Sequence, residues 1–324
     1  MRAAYYEKNG TARDVLSLGE LDTPKPGPGE VLVRLKTSGV NPSDVKSREG
    51  RTRKIVFPRV IPHSDGAGDI EAVGDGVPPS RLGERVWTWN GQWKRPFGTC
   101  ADYIVLPAAL AVKLPDHVSY DAGACLGVPA MTAYHAVEVA GPAKTVLVSG
   151  GAGGVGHYAI QFAKARGATV ITTVSSDAKA KIARDAGADH TIDYKRENVG
   201  ERVMAITGKA RVDAVIEMDF SGNAKLMPSV LHPRSTVVVY GNSSAEATVP
   251  SQFFLQNVIT IRYIFVYELT PAERDAAVSG INRMLENKTL LNNVALTLPL
   301  KDIVAAHEAV EQGKALGNVV VSMS

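Results

Sequence analysis

The chain has 324 residues, 45% hydrophobic and 21% charged, which supplies enough apolar material for two ordinary cores and excludes a disordered or fibrous chain. The formal net charge is only +3 and no Lys/Arg block stands out, so nucleic acid is not expected as a partner. The two cysteines, Cys100 and Cys125, lack a Cys-x-x-Cys spacing and read as small buried hydrophobes, not as a disulfide framework or a cysteine-rich zinc site.

In chain order, Val31 to Lys36 (after Pro24-Lys25-Pro26-Gly27-Pro28-Gly29), Gly68 to Val73, Arg85 to Trp89 and Asp102 to Leu106 predict short strands punctuated by Pro and Gly, as in a barrel-like β domain. From about Ser119 helices alternate with strands. Helix Ala130 to Val139 precedes strand Thr145 to Val148, helix-like His157 to Lys164, strand Thr169 to Val174 and a strand-like piece from Thr191 to Arg196. Further strands are predicted at Asp213 to Glu217, Ser235 to Tyr240 and Thr260 to Val266, an alternation that argues for a parallel, doubly wound α/β sheet. From Arg262 the chain is expected to return to the first domain through helices Pro271 to Asn287 and Asp302 to Gln312 and a closing strand, Asn318 to Ser322. The expected domains are therefore 1–118 with 262–324, and 119–261. Met1-Arg2-Ala3-Ala4-Tyr5-Tyr6-Glu7 lacks the apolar core of a signal peptide, and no apolar run reaches the roughly 18 residues of a membrane span, so a cytoplasmic protein without membrane association is expected.

Between the strand at Thr145 and the following helix lies Ser149-Gly150-Gly151-Ala152-Gly153-Gly154-Val155-Gly156, with Gly-x-Gly-x-x-Gly spacing at Gly151, Gly153 and Gly156. Such a turn needs positive φ, lets backbone approach a phosphate where Cβ is absent, and offers the N–H groups and dipole of a helix N-terminus. The strand before it and the Ala-rich helix after it separate it from a bland glycine turn. Gly151, Ala152, Gly153, Gly154, Val155 and Gly156 are accordingly read as the pyrophosphate cradle of a dinucleotide.

An NAD site usually carries Asp or Glu at the end of the second strand, about 20 residues past the glycines. Here the chain reads Thr172-Thr173-Val174-Ser175-Ser176, then Asp177 and Lys179. Ser175, Ser176 and Lys179 suit a 2′-phosphate, which a carboxylate would repel, and Tyr194 with Lys195 and Arg196 can close over the same group. NADPH is therefore expected over NAD. The alternatives are a solvated turn, or Asp177 serving NAD.

The order of motifs resembles the medium-chain dehydrogenase/reductase superfamily, and within it the zinc-independent quinone oxidoreductases related to zeta-crystallin. The segments that carry the likeness are Pro28-Gly29-Glu30-Val31-Leu32-Val33, Gly39-Val40-Asn41-Pro42-Ser43-Asp44, Asp65-Gly66-Ala67-Gly68 with Val73-Gly74, Gly83-Glu84-Arg85-Val86, Leu126 to Tyr134, the glycine loop, and Gly187-Ala188-Asp189. The resemblance implies a GroES-like β-barrel catalytic domain interrupted by a Rossmann domain, with cofactor and substrate meeting in the cleft between them. Where zinc-dependent members hold a metal with Cys, His and a second Cys or acid, the matching places hold Asn41, Ser64 and Leu126. His63 and Cys125 sit one position away, and a metal-free site is expected.

Without a Lewis acid the acceptor must be intrinsically electrophilic, a quinone or a conjugated enone reduced by hydride from NADPH. The resemblance places Asn41 near the nicotinamide as a donor to the developing oxyanion, its other reading being a turn residue before Pro42. It places Thr132 beside the nicotinamide, the other reading being a helix-lining hydroxyl, and sets Gly241-Asn242-Ser243 against the nicotinamide ribose. Many relatives carry a tyrosine two positions after the Asp of Asn-x-x-Asp, where this chain has Lys46. Lys46 can donate to an enolate or quinol oxygen, or simply be exposed. Asn318, opening the last strand, joins the expected cofactor-binding set. Trp87, Trp89, Trp93 and Phe97 either wall an acceptor pocket or pack a core, while His135, His157 and His307 read as structural. An enoyl-thioester or other double-bond reductase and a non-catalytic NADPH-binding sensor remain the rival readings. A homodimer is plausible through the apolar run Val258 to Val266.

Overall fold

Alternation along Glu30–Val40 organises the N-terminal β structure: Val31, Val33 and Leu35 are buried while Arg34 and Lys36 face water. This strand pairs antiparallel with Asp65–Val73, Tyr103–Pro107 and Asn318–Ser322. Arg85–Thr88, Ala111–Lys113 and Val294–Pro299 extend the same sheet. Gly68 sits beside the bulge at Lys36 of Glu30–Val40, and a Cβ there would lie 2.0 Å from the Arg34 carbonyl oxygen. Val33, Leu35, Ile70, Val86, Ile104, Leu106 and Val321 form the core beneath it.

The computed structural model describes residues 1–323 and divides the chain into two units, 1–129 with 281–324, and Ala130–Gly280. In the second unit six strands lie in the spatial order His190–Asp193, Thr169–Val174, Thr145–Val148, Val212–Glu217, Leu231–Val239, Thr260–Tyr263, with every adjacent pair parallel. Counted within the unit this is 3-2-1-4-5-6, the order of dinucleotide-binding sheets, whose switch point falls between Thr145–Val148 and Val212–Glu217. Leu147, Ile171, Val215, Val237 and Phe220 fill its core. The expected α/β class, a GroES-like β unit joined to a doubly wound parallel sheet, is the observed one.

Several elements differ from the sequence expectation. Thr260–Tyr263 pairs inside the parallel sheet, so the second unit continues past residue 261, and helix Pro271–Glu286 is divided between the units at residue 280. The strand expected over Thr191 to Arg196 ends at Asp193, where the Arg196 and Glu197 N–H groups turn back to the Asp193 carbonyl. Helix Pro42–Glu49, barely amphipathic, was not legible from periodicity. It is set by Pro42 in its first turn and by Asp44 Oδ2, which accepts the Asn41 N–H at 2.8 Å. Strands Arg2–Tyr5 and Ser17–Glu20, which pair antiparallel with each other, were likewise not anticipated. Among the described residues no helix is long and apolar enough to cross a membrane.

Candidate active site

In the second unit the glycine loop leaves the sheet at the switch point. Ser149 ties its two sides together, its N–H donating to the Ile216 carbonyl at 3.0 Å and its hydroxyl to Glu217 Oε2 at 2.7 Å. The positive φ that the turn requires falls on Gly150 (+70°), one residue before the spaced triplet. A Cβ on Gly151 would lie 2.2 Å from Thr172 Oγ1, and one on Gly156 2.3 Å from the Gly150 carbonyl oxygen, so both are glycine to let helix and strand pack. Gly153 is different: it is exposed, and a Cβ there meets only the Gly150 oxygen at 3.3 Å. It opens helix Gly154–Ala165 without a side-chain cap, so the first helical N–H groups have no intrahelical acceptor on an open face bare of side chains. Gly151, Ala152, Gly153, Gly154, Val155 and Gly156, the residues expected to hold a pyrophosphate, form this loop, and an open face of unpaired helical N–H groups is what binding an anion requires.

Ser175, Ser176 and Lys179 follow the neighbouring strand. Ser176 Oγ accepts the Lys179 backbone N–H at 3.3 Å and caps helix Asp177–Asp185, which leaves its O–H free to donate outward. Tyr194 is 53% exposed, and its N–H bonds the Val174 carbonyl at 3.1 Å, bringing it to the same edge as the serines. Asp177, the one carboxylate there that would suit NAD, pairs with Arg196 at 3.4 Å, both exposed. Gly241, Asn242 and Ser243 close a second loop at the strand ends. Asn242 Oδ1 accepts the Ser221 N–H, and Ser243 donates from N–H and hydroxyl to Asp219 Oδ1 at 2.9 and 2.8 Å. Partial burial works to raise the Asp219 pKa, but these bonds from Ser243, with others from Ser221 and Gly222, outweigh it and hold the carboxyl below its ordinary value. Thr132 is buried on helix Met131–Ala140 in this unit.

In the first unit Asn41 is 5% exposed. Its Nδ2 donates to Asp65 Oδ2 at 2.7 Å, and the same oxygen accepts the Val128 N–H at 2.8 Å. Asn41 is thus clamped from its backbone by Asp44 and from its side chain by Asp65, with one amide N–H left over. Burial pushes the Asp44 pKa up to about 7. Burial, then the nearby Asp44 charge, push that of Asp65 well above the carboxylate range, against the bonds from Val128 and Asn41. Neither carboxylate was singled out from sequence. The signal was an acid set among Gly and Ala in Asp65-Gly66-Ala67-Gly68, too tight a strand to carry a solvated charge. Lys46 lies half-buried on the helix that Asn41 opens.

Other expected residues lie within their own units. Asn318 turns its amide to the Asn293 carbonyl at 3.1 Å inside the first unit's sheet. The tryptophans do not converge: Trp87 and Trp89 are core residues, whereas Trp93 faces a cavity. His63 and His307, both fully buried, stack with Nε2 atoms 3.0 Å apart, and His63 Nδ1 meets Ser38 Oγ at 2.8 Å. His157 bonds Gln161 along its helix, and His135 faces Glu273 at 3.8 Å.

The donor set does not fit a zinc ion. Of Asn41, Ser64 and Leu126, Leu126 has no donor atom. Cys125 donates its thiol to the Asp121 carbonyl at 3.2 Å, and burial pushes its pKa well up. Among the described residues no group of three or more His, Cys, Asp or Glu is placed to hold a metal.

Residues 27–116 match the alcohol dehydrogenase GroES-like domain family and residues 154–283 the zinc-binding dehydrogenase family. The chain is 32% identical to 2-haloacrylate reductase of a Burkholderia species, covering 99% of this chain and 98% of the relative. It is 30% identical to a quinone oxidoreductase of Pseudomonas aeruginosa, over 95% of each. The crystal structure of Escherichia coli quinone oxidoreductase complexed with NADPH superposes with a TM-score of 0.87 at 27% identity, covering 99% of this chain and all of that one. With the strand order, the glycine cradle and the clamped Asn41 in place, these likenesses establish that the chain belongs to the medium-chain dehydrogenase/reductase superfamily, in its quinone oxidoreductase family.

Proposed function

We propose that the chain is an NADPH-dependent, zinc-independent reductase of quinones and related α,β-unsaturated carbonyls. The observation that carries this is the exposed Gly153 face of a cradle at the switch point of a 3-2-1-4-5-6 sheet, with serine and lysine donors where an NAD site would carry an acid. The quinone oxidoreductase and 2-haloacrylate reductase relatives support the acceptor class. When bound, NADPH supplies the hydride. Gly151 to Gly156 hold the pyrophosphate, Ser175, Ser176, Lys179 and Tyr194 the 2′-phosphate, and Gly241, Asn242 and Ser243 the ribose beside the nicotinamide, against which Thr132 packs.

Asn41 donates its remaining N–H to the acceptor oxygen on which charge develops, and the Asp65 clamp fixes its direction in advance. Lys46 is a second donor to that oxygen. The working form is a cytoplasmic homodimer, supported by the unpaired edge strand Thr260–Tyr263 and by exposed Leu255, Val258, Tyr263 and Phe265 around it. NADPH oxidation by purified protein, with chelator present, against an ortho-quinone, a para-quinone, an enone and a simple alcohol with NADP tests the reading. Turnover of quinone or enone is expected. Turnover of the alcohol alone, or activity abolished by chelator and restored by zinc, would overturn it, and NADPH binding without turnover of any acceptor would mark a sensor.

A further inference from the structure

The first unit contains a cavity of about 340 Å³ beside the helix that Asn41 opens, in the size range of small-ligand pockets. Ser47, on its wall, is six residues along that helix from Asn41, which at the helical rise is about 9 Å. Ile55, Val56, Phe57 and Trp93 give the cavity an apolar, planar wall, and no carboxylate lines it. Arg53 and Lys54 do.

Arg53 lines this cavity without an ion pair. Arg2, Arg13, Arg34, Arg59, Arg81 and Arg166 are each paired with a carboxylate. The Arg53 guanidinium instead lies 5.2 Å from the centre of the Trp93 ring and donates Nη2 to the neutral amide oxygen of Gln92. Stacking and the single bond fix the plane of the fork; the carboxylate that feels its charge is the buried Asp44, which does not line this wall, so the fork makes no ion pair in the cavity. A planar, apolar slot ending in a pre-oriented guanidinium has the chemistry of a conjugated acid: the flat frame against Trp93 and the carboxylate on Arg53.

We propose that the preferred acceptor carries a carboxylate, and that Arg53, assisted by Lys54, is the residue that selects it. This rests on the reductase reading above. In the reaction the acceptor takes a hydride at its β-carbon, the electron pair of its double bond shifts to the carbonyl, a proton from solvent completes the α-carbon, and NADPH leaves as NADP+.

The test uses trans-3-benzoylacrylate and its methyl ester with saturating NADPH, and para-benzoquinone as a neutral reference. The ester is the stronger electrophile, so a pocket blind to charge prefers it. The wild-type protein is expected to favour the acid by tenfold or more in kcat/KM. Arg53→Gln is expected to lower kcat/KM for the acid at least tenfold, through KM, while ester and benzoquinone stay within twofold, and Arg53→Lys is expected to restore part of the loss. A wild-type preference for the ester, or acid and ester falling together in Arg53→Gln, overturns the proposal and leaves the reductase reading standing on benzoquinone turnover. Failure of all three acceptors with the wild-type protein is instead a failure of the reductase reading itself.

Discussion

Substituting alanine separately at Gly153 and Gly156 distinguishes a phosphate cradle from a merely structural turn. A Cβ on Gly156 would lie 2.3 Å from the Gly150 carbonyl oxygen, about 1 Å inside the 3.4 Å at which ordinary contact begins, and the obstacle is backbone that cannot swing aside. Over-packing of this kind costs about 1–3 kcal/mol, so Gly156→Ala is expected to lower the urea midpoint and weaken NADPH binding together. Gly153 has a φ of −77°, which alanine adopts freely, and its Cβ would meet only one atom, at 3.3 Å. Gly153→Ala is therefore expected to lose no more than about 1 kcal/mol, the scale of an N-cap change. The added methyl would stand on the face where phosphate oxygens must reach the helix N–H groups, and NADPH affinity is expected to fall tenfold or more, about 1.4 kcal/mol for each factor of ten. Urea unfolding and fluorescence titration with NADPH measure the two quantities on the same samples. If Gly153→Ala binds NADPH within twofold of the wild type, the exposed face is not the phosphate site and the reasoning fails.

Lys179→Ala combined with Ser176→Ala is expected to raise the KM for NADPH tenfold or more and leave that for NADH within twofold. An equal effect on both cofactors would remove these residues from the 2′-phosphate. Asp65→Ala strands the Asn41 amide and the Val128 N–H and is expected to lose about 2–6 kcal/mol by urea unfolding, at about 1–3 kcal/mol per stranded group, with kcat down at least tenfold. Asp65→Asn keeps an acceptor for both donors and should retain most of the stability; equal losses in the two variants would refute the clamp. Burial pushes His63 down to about 3, and burial, then the charge of His63, hold His307 well below 6.5, so the folded state keeps both neutral. The unfolded imidazoles gain protons below about pH 6.5, so this contribution is complete above that pH and is lost as the pH falls, at up to about 1.4 kcal/mol per pH unit per imidazole. Asp44 and Asp65 act with opposite sign, weakening the fold as pH rises from about 4 toward 7, because the folded state retains protons that the unfolded state has released. His307→Gln isolates the imidazole term: unfolding at pH 5 should take up about one proton fewer than in the wild type, and an unchanged uptake would contradict the neutral pair.

The parallel sheet was legible because its strands are short β-branched runs bounded by glycine turns: Thr169–Val174 matches the sequence reading at both ends, and Thr145–Val148 likewise. The boundary near residue 261 was not, because Ile261 and Tyr263 read equally well as the last strand of one domain or the first of the next until pairing with Val237 and Val239 decides it. In the site, the glycine spacing was visible as a local pattern, whereas the division of labour among the glycines depends on what a Cβ would meet across space, at Thr172 and Gly150. Asn41 could be picked out, but the bond that orients it comes from Asp65, 24 residues on, and sequence spacing carries no trace of a contact between strand and helix cap. Arg53 gave no signal at all, since what marks it is the Trp93 ring and the Gln92 amide that orient it across space.

Reducing an enone with NADPH deuterated at the transferable position of C4, chelator present throughout, separates direct hydride transfer from metal-assisted chemistry. Deuterium at the β-carbon of the product and undiminished turnover without metal are expected. Product free of deuterium in that position, or turnover that disappears with the chelator and returns with zinc, would contradict direct hydride transfer without metal.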